Sequence, residues 1–139
     1  MKKKNILLIV LILCIGLFSS VMYLFKTFST MASPIRYPEN TDILSVMIGC
    51  NTNDVMISMT EESYDNLLAY IKSAKPTREQ SINDSPYIRP YYCLAVETEE
   101  MQYYYFIYQD GEQTYIEMPY QGIYKAESQL YGMILNSFE

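Results

Sequence analysis

The sequence contains no histidine and no tryptophan, and it has only five glycines and three cysteines. Without histidine, the commonest general base, the histidine-dependent nucleophiles and most zinc or copper sites are excluded. Five glycines leave little for a phosphate-cradling loop, and neither of the serine motifs S-x-x-K and G-x-S-x-G occurs. We therefore predict that the protein is not an enzyme of these classes and that it carries no cofactor and no metal.

A long apolar run lies near the start of the chain. Residues 6–25 are almost wholly apolar and follow Lys2, Lys3 and Lys4. Twenty helical residues span about 30 Å, the thickness of bilayer hydrocarbon, and flanking lysines favour a cytoplasmic N-terminus. We predict a cytoplasmic segment over residues 1–5, a transmembrane helix over residues 6–25, and a single-pass location in the cell membrane with the C-terminal part outside. The alternative is a cleaved signal peptide that releases a secreted domain.

The remainder of the chain is strongly acidic. From Ser33 onward there are six basic and sixteen acidic residues, a formal charge of −10. Such a domain repels nucleic acid and anionic lipid head groups, so we predict no nucleic-acid partner. We expect a cationic peptide or a membrane protein instead. Residues 26–40 contain prolines and lack an apolar period, which predicts an extracytoplasmic tether, and residues 41–139 then form one domain.

Apolar periodicity predicts an α+β fold for this domain. Runs with strand composition predict two strands before and three strands after a first helix, with Asp110-Gly111 as a hairpin turn. Helical spacing predicts helices over residues 60–75 and 126–138. The order ββα-loop-βββα describes a mainly antiparallel sheet of about five strands with two helices packed on one face, preceded by the transmembrane helix. The strand at residues 101–109 is apolar on both faces, which is typical of a central strand covered on both sides.

The loop predicted over residues 77–90 is a candidate functional segment. Loops of this length are uncommon in compact domains unless they have a function. One interpretation is structural, in which Arg78 grips Asp84 inside a folded-back loop. The other is that the loop presents Arg78 and Arg89 to a ligand, because loops on rigid scaffolds often carry function.

Two tyrosines extend this candidate site. Tyr120 and Tyr124 flank a predicted turn in which Gly122 takes a positive φ. Tyrosine offers an apolar face and a hydroxyl, so the pair could recognise a peptide or a sugar ring. The alternative is that each tyrosine fills the core of a small domain.

Thiols and carboxylates supply the other candidates. Cys50 and Cys93 lie at predicted strand ends, where they either form a disulfide or remain two small buried thiols. Glu97, Glu99 and Glu100 form the densest acidic cluster. Paired carboxylates can catalyse hydrolysis, but acids at a strand-to-strand turn are usually solvated.

Two segments resemble a known family. They are PTREQSINDSP at residues 76–86 and PYQGIY at residues 119–124. Both are similar to segments of small secreted or membrane-tethered Gram-positive bacterial proteins classed as a domain of unknown function. The resemblance implies an extracytoplasmic location, and it implies no reaction, cofactor or catalytic residue.

Elimination favours binding over catalysis. We expect a membrane-anchored extracytoplasmic module that binds or regulates a partner at the cell surface. The alternatives are a carboxylate-dependent hydrolase of an envelope component, and a structural appendage that stabilises a membrane neighbour.

Overall fold

The computed structural model describes residues 3–29, 32–39, 42–52 and 55–138. The chain divides into two compact units, Met1–Met31 and Ala32–Glu139. The first unit contains helix α1 (Lys3–Ser29), and the second contains all the other elements.

The membrane prediction is wrong by the criterion of helix length and apolarity. No helix in the described part of the chain is long and apolar enough to cross a bilayer. This finding contradicts both the transmembrane helix over residues 6–25 and the single-pass location in the cell membrane.

The second unit is built on one antiparallel sheet with two helices. The strands are β1 (Ile43–Cys50), β2 (Met56–Ser58), β3 (Lys75–Pro76), β4 (Tyr91–Thr98), β5 (Gln102–Asp110), β6 (Gln113–Met118) and β7 (Gly122–Ala126). Their order across the sheet is β2-β1-β4-β5-β6-β7-β3, and every neighbouring pair is antiparallel. The helices are α2 (Glu61–Ser73) and α3 (Ser128–Asn136).

The predicted architecture is therefore wrong in its element count. The described residues form seven strands and three helices, where about five strands and two helices behind a transmembrane helix were predicted. Strand β3 has only two residues, too few to show any periodicity. Strand β7 was not predicted: Gly122 was assigned to a turn, Ala126 to a helix, and residues 123–125 to no element.

The core lies between one face of the sheet and the two helices. Helices α2 and α3 contact each other, and they pack over β5, β6 and β7. Alternate strand residues point to this face because the side-chain period of a strand is two. The fully buried side chains on both layers include Ile48, Leu94, Tyr105, Ile107, Ile116, Tyr124, Leu67, Ile71, Leu130 and Ile134. Burying each large aliphatic side chain contributes about 1.5–3 kcal/mol.

Helix α2 ends earlier than its apolar pattern predicted. Its buried residues Leu67, Leu68 and Ile71 follow the helical period. The helix was predicted to reach residue 75, but Ala74 already has an extended backbone with ψ of 143°. A proline disfavours helical conformation in the residue before it, and Pro76 in β3 brings the chain into the sheet.

Residues 32–39, predicted as part of the tether, instead pack on the domain, and we name this segment the strap. The side chains of Ala32 and Ile35 are buried in the core. The hydroxyl of Tyr105 donates a hydrogen bond of 2.7 Å to the carbonyl oxygen of Arg36. The folded unit thus begins nine residues before the predicted boundary at residue 41.

Gly122 has a different role from the one predicted. Its φ is not positive; the positive φ in this turn, 58°, belongs to Tyr120. A Cβ atom placed on Gly122 would overlap the Cβ of Ala32 in the strap. Glycine is required here for close approach of two segments, and not for a left-handed turn.

Candidate functional site

Helices α2 and α3 pack on one face of the sheet, and we call the opposite face the open face. It is formed by the strand residues that alternate with the core positions, because neighbouring residues of a strand point to opposite faces. Residues 77–90, which we call the covering loop, lie against its β6–β7 side. Within the described residues of the second unit, no comparable segment covers the β1–β4–β5 side, where Met47 and Tyr104 are exposed.

A buried hydrogen bond attaches the covering loop to the sheet. The Ser81 hydroxyl donates to Oε1 of Glu117 at 2.6 Å, and the two residues are only 4% and 5% exposed. Tyr108 lies on the same side of the sheet, and its pKa is raised by burial and by the neighbouring Glu117 and Glu79 carboxylates. The space that remains is a cavity of about 80 Å³. This side of the open face is therefore largely filled by the chain itself.

The structure separates the predicted binding residues into two groups. Arg78, Asp84 and Arg89 are exposed in the covering loop. The Tyr120 hydroxyl donates a 2.5 Å hydrogen bond to Oδ1 of Asp84, which raises the pKa of Tyr120. Tyr124, in contrast, is fully buried. It fills the core and presents no recognition surface, whereas binding by the exposed residues stays a prediction.

The two segments that carry the family resemblance contact each other. The amide of Thr77 donates to the carbonyl oxygen of Ile123 at 3.0 Å, and the amide of Ile123 donates to the carbonyl oxygen of Glu79 at 3.1 Å. The Tyr120–Asp84 hydrogen bond joins the same two segments. Residues 76–86 and 119–124 thus form one structural unit that covers half of the open face.

Cys50 and Cys93, the two cysteines predicted to form a disulfide or to remain thiols, are both free thiols. Cys50 is paired across the strands with Tyr92, whose side chain is in the core, whereas Cys93 is paired with Gly49. Partners in a strand register share a face, so the two thiols point to opposite faces of the sheet. Burial raises the pKa of Cys93 to about 11.

A second feature lies at one end of the sheet, between the strap and the turn that joins β4 to β5. It is a pocket of about 400 Å³, which we call the acidic pocket. Its lining residues are Tyr37, Pro38, Glu39, Asp42, Leu44, Thr98, Glu99, Glu100 and Tyr103. Four of these described residues are carboxylates and none is basic. Within the described part of the chain, no group of three or more acidic or cysteine side chains could hold a metal ion.

The β4–β5 turn is fixed by its own hydrogen bonds. The Thr98 hydroxyl donates to the carbonyl oxygen of Met101 at 2.8 Å, and the Met101 amide donates back to that hydroxyl at 3.1 Å. The turn therefore holds exposed Glu99 and Glu100 at the pocket rim without using their carboxylates for its own structure.

Both tyrosines of the acidic pocket are supported by neighbouring side chains. The ring of Tyr103 stacks on Tyr105 with centroids 6.4 Å apart and planes 7° apart. The ammonium of Lys72, on α2, lies 4.7 Å from the centroid of the Tyr37 ring, within the range of a cation–π contact. The pocket therefore combines supported aromatic walls with exposed acidic side chains.

The sequence identified only half of this pocket. Glu99 and Glu100 were recognised as part of a dense acidic cluster. Glu39 was not connected with them, because residues 26–40 were predicted to be a tether, and Asp42 at the start of the predicted domain was not singled out. The signal that was available is the pair Ile35 and Tyr37, whose alternation is compatible with a segment that packs on a core.

Comparison with known proteins places this arrangement in a family. Residues 31–125 match DUF5301, described as "Domain of unknown function (DUF5300)". The chain belongs to this family. It is also similar to a solved NMR structure of a protein from Ruminococcus gnavus, with 30% sequence identity and a TM-score of 0.55, over 67% of this chain and 91% of that one. No curated protein matches the chain.

The matched range has a structural meaning. The DUF5301 match, residues 31–125, includes the strap, the covering loop and every residue of the acidic pocket. It ends before α3, which begins at Ser128. The pocket is therefore formed within the family domain.

Proposed function

We propose that the domain of residues 32–139 is a binding module for a cationic partner, and that the acidic pocket receives a basic side chain of that partner. The observation that carries this proposal is a pocket of about 400 Å³ with four carboxylates and no basic residue among its described lining residues. The surrounding charge acts in the same direction, since the chain from Ser33 onward has a formal charge of −10. Such a field raises the rate of encounter with cationic partners and repels anionic ones.

The exposure of the carboxylates supports binding over hydrolysis. Acid catalysis needs one carboxyl group kept protonated by burial, beside a second that is ionised. Glu39, Asp42, Glu99 and Glu100 are all exposed. A carboxylate-dependent hydrolase is therefore the less favoured function for this pocket.

The expected strength of the pocket alone is modest. Exposed ion pairs contribute about 0.2–1 kcal/mol each, and the ring of Tyr37 is already in contact with Lys72. One basic side chain would therefore bind with an affinity in the millimolar range at best. That the family consists of Gram-positive bacterial proteins stays a prediction, and the proposed function does not depend on it.

The test is a titration of the isotope-labelled protein with a short peptide of alternating Ser and Lys, followed by NMR. We expect shift changes at Tyr37, Thr98 and Tyr103, and affinity that falls as salt is added. The double variant Glu99→Gln with Glu100→Gln should bind about tenfold more weakly, from two lost ion pairs.

The matched control removes the same charge elsewhere. Glu61→Gln with Glu62→Gln changes two exposed carboxylates in the first turn of α2, which do not line the pocket. This control should bind like the unmodified chain. Equal weakening in both double variants would mean that net charge alone attracts the peptide, and the pocket proposal would then be abandoned.

A further inference from the structure

We propose that the uncovered side of the open face binds an apolar segment of the same cationic partner. This inference rests on the proposed function and adds the second half of the recognition site. A basic side chain in the acidic pocket gives only weak binding, so a specific complex needs apolar contacts beside it.

The uncovered side has the shape of a shallow channel that follows β4. The floor is made by the small side chains of Cys93 and Ala95. Ala95 is paired with Met47 on β1 and with Tyr104 on β5. Since paired residues share a face, Met47 and Tyr104 form opposite ridges above the floor. Strand spacing places the ridges about 10 Å apart, which is wide enough for a single peptide segment.

The next register pair continues the same channel. Cys93 is paired with Gly49 on β1 and with Phe106 on β5. Gly49 has no side chain, and Met56 of the edge strand lies across it, because a Cβ on Gly49 would overlap the Met56 sulfur. Met56 therefore extends the ridge that begins with Met47. We call the whole feature the apolar channel.

The side chains of both ridges are unusually open for their position. Met47 and Tyr104 are 38% and 43% exposed, although β1 and β5 are both interior strands of the sheet, and Met56 of the edge strand is 45% exposed. At the other end of β5, Tyr108 is only 4% exposed. Strand β5, which is apolar on both faces, is therefore covered on the open face at Tyr108 and uncovered there at Tyr104. A partner segment would supply the second half of the cover.

Charge at the end of the channel identifies the occupant. Moving along β4, the floor runs from Cys93 and Ala95 to Glu97, which accepts a 2.8 Å hydrogen bond from the Ser45 hydroxyl. The turn with Glu99 and Glu100 follows directly. The partner has to cross this turn to reach the acidic pocket, because Tyr103 of the pocket is paired with buried Val96 and so lies on the helix-covered face. A peptide with apolar residues followed by a basic residue is complementary to this order, and exposed methionines adapt readily to different apolar partners. A second copy of this acidic chain would bring like charges together.

The experiment compares two peptides of equal charge on the full-length protein: alternating Leu and Lys, and alternating Ser and Lys. We expect the Leu/Lys peptide to bind at least about tenfold more tightly. It should shift the methyl NMR signals of Met47 and Met56, and the Ser/Lys peptide should leave them unchanged. This readout needs no substitution and does not depend on a variant remaining folded.

A variant then assigns the difference to the channel. In Met47→Ser with Tyr104→Ser, both peptides should bind with the affinity of the Ser/Lys peptide. The control Ile82→Ser with Leu135→Ser removes two exposed apolar side chains outside the channel and should keep the tenfold preference. Equal affinity of the two peptides for the unmodified chain would overturn the proposal, as would loss of the preference in the control.

The remaining outcomes separate this inference from the proposed function. If Glu99→Gln with Glu100→Gln binds both peptides normally while the methionine signals still respond to Leu/Lys, the pocket fails and the channel stands. If that variant weakens both peptides but Leu/Lys shows no preference, the channel fails and the pocket stands. Two other results would contradict a peptide as the occupant of the channel. They are self-association without peptide and binding to neutral phosphatidylcholine vesicles, if either is lost in Met47→Ser with Tyr104→Ser.

Discussion

At the scale of single residues, the alternation of strand side chains indicates a face but not what covers that face. The pattern places Glu117 on the side of β6 away from the helices, where a carboxylate is normally solvated. The structure buries it there to 5% exposure, under Ser81 of the covering loop. Nothing in the local sequence of either residue specifies this contact, because the two are 36 positions apart.

Cys93 gives the first prediction at this scale. Burial raises its pKa from 9.0 to about 11, and only the thiolate reacts with alkylating reagents. At pH 8 we expect iodoacetamide to modify Cys93 about 100-fold more slowly in the folded protein than in urea. Peptide mass mapping of timed samples measures this rate separately from those of Cys14 and Cys50.

The raised pKa of Cys93 also makes the stability of the folded protein fall at high pH. The contribution of Cys93 to stability is complete below pH 9 and is lost as the pH rises towards 11, because the unfolded chain releases the thiol proton first. Cys93→Ala should flatten the fall in unfolding free energy over this range. Equal alkylation rates in the folded and urea-treated protein would show that folding does not raise the pKa of Cys93.

At the scale of elements, prediction succeeded where a segment was long enough to repeat its period. Helix α2 and the β5–β6 hairpin were located from such patterns, although the two turn residues of the hairpin are Gly111 and Glu112 and not the predicted Asp110 and Gly111. Strand β3 and the strap were missed because two residues, or a run with prolines, show no period. Their structure is determined by long-range partners: β3 pairs with β7, and the strap packs on the core.

The contact of the strap with β7 yields the second prediction. In Gly122→Ala the new methyl group would overlap Ala32. Relieving such overlap costs about 1–3 kcal/mol or displaces the strap. We expect lower stability in urea, together with faster tryptic cleavage after exposed Arg36 in limited proteolysis.

Gly132→Ala is the matched control. Gly132 lies within α3 and has no atom within 4 Å of an added Cβ. Alanine in a helix interior is favoured over glycine by about 0.5–1 kcal/mol, so this variant should be slightly more stable. If both variants respond in the same way, steric contact with the strap is not the reason for glycine at position 122.

At the scale of the whole molecule, the candidate site is a product of topology. The acidic pocket joins Glu39 of the strap to Glu99 and Glu100 of the β4–β5 turn, about sixty positions apart in the sequence. Composition predicted an acidic domain and a cationic partner, but it could not show which carboxylates converge. The apolar channel could not be predicted either. A strand that is apolar on both faces has the same sequence pattern whether the chain itself or a partner covers its second face.

The third prediction concerns the boundary of the folded domain. A chain that starts at residue 41, the boundary predicted from sequence, loses the buried side chains of Ala32 and Ile35. It also removes the Arg36 carbonyl oxygen that accepts the hydrogen bond of fully buried Tyr105. Burial of an isoleucine contributes about 1.5–3 kcal/mol, and an unpaired buried hydroxyl costs about 1–3 kcal/mol. The combined loss of about 2.5–6 kcal/mol is a large part of the 5–15 kcal/mol typical of a domain.

Urea unfolding of two truncated chains tests this boundary. The chain of residues 32–139 should unfold in one cooperative transition, because it retains every element of the second unit. The chain of residues 41–139 should show a much lower midpoint or no transition at all. Equal midpoints would mean that the strap is not needed for the fold. Glu39 would then be held in the acidic pocket only loosely, and the binding site would have to be formed by the β4–β5 turn without it.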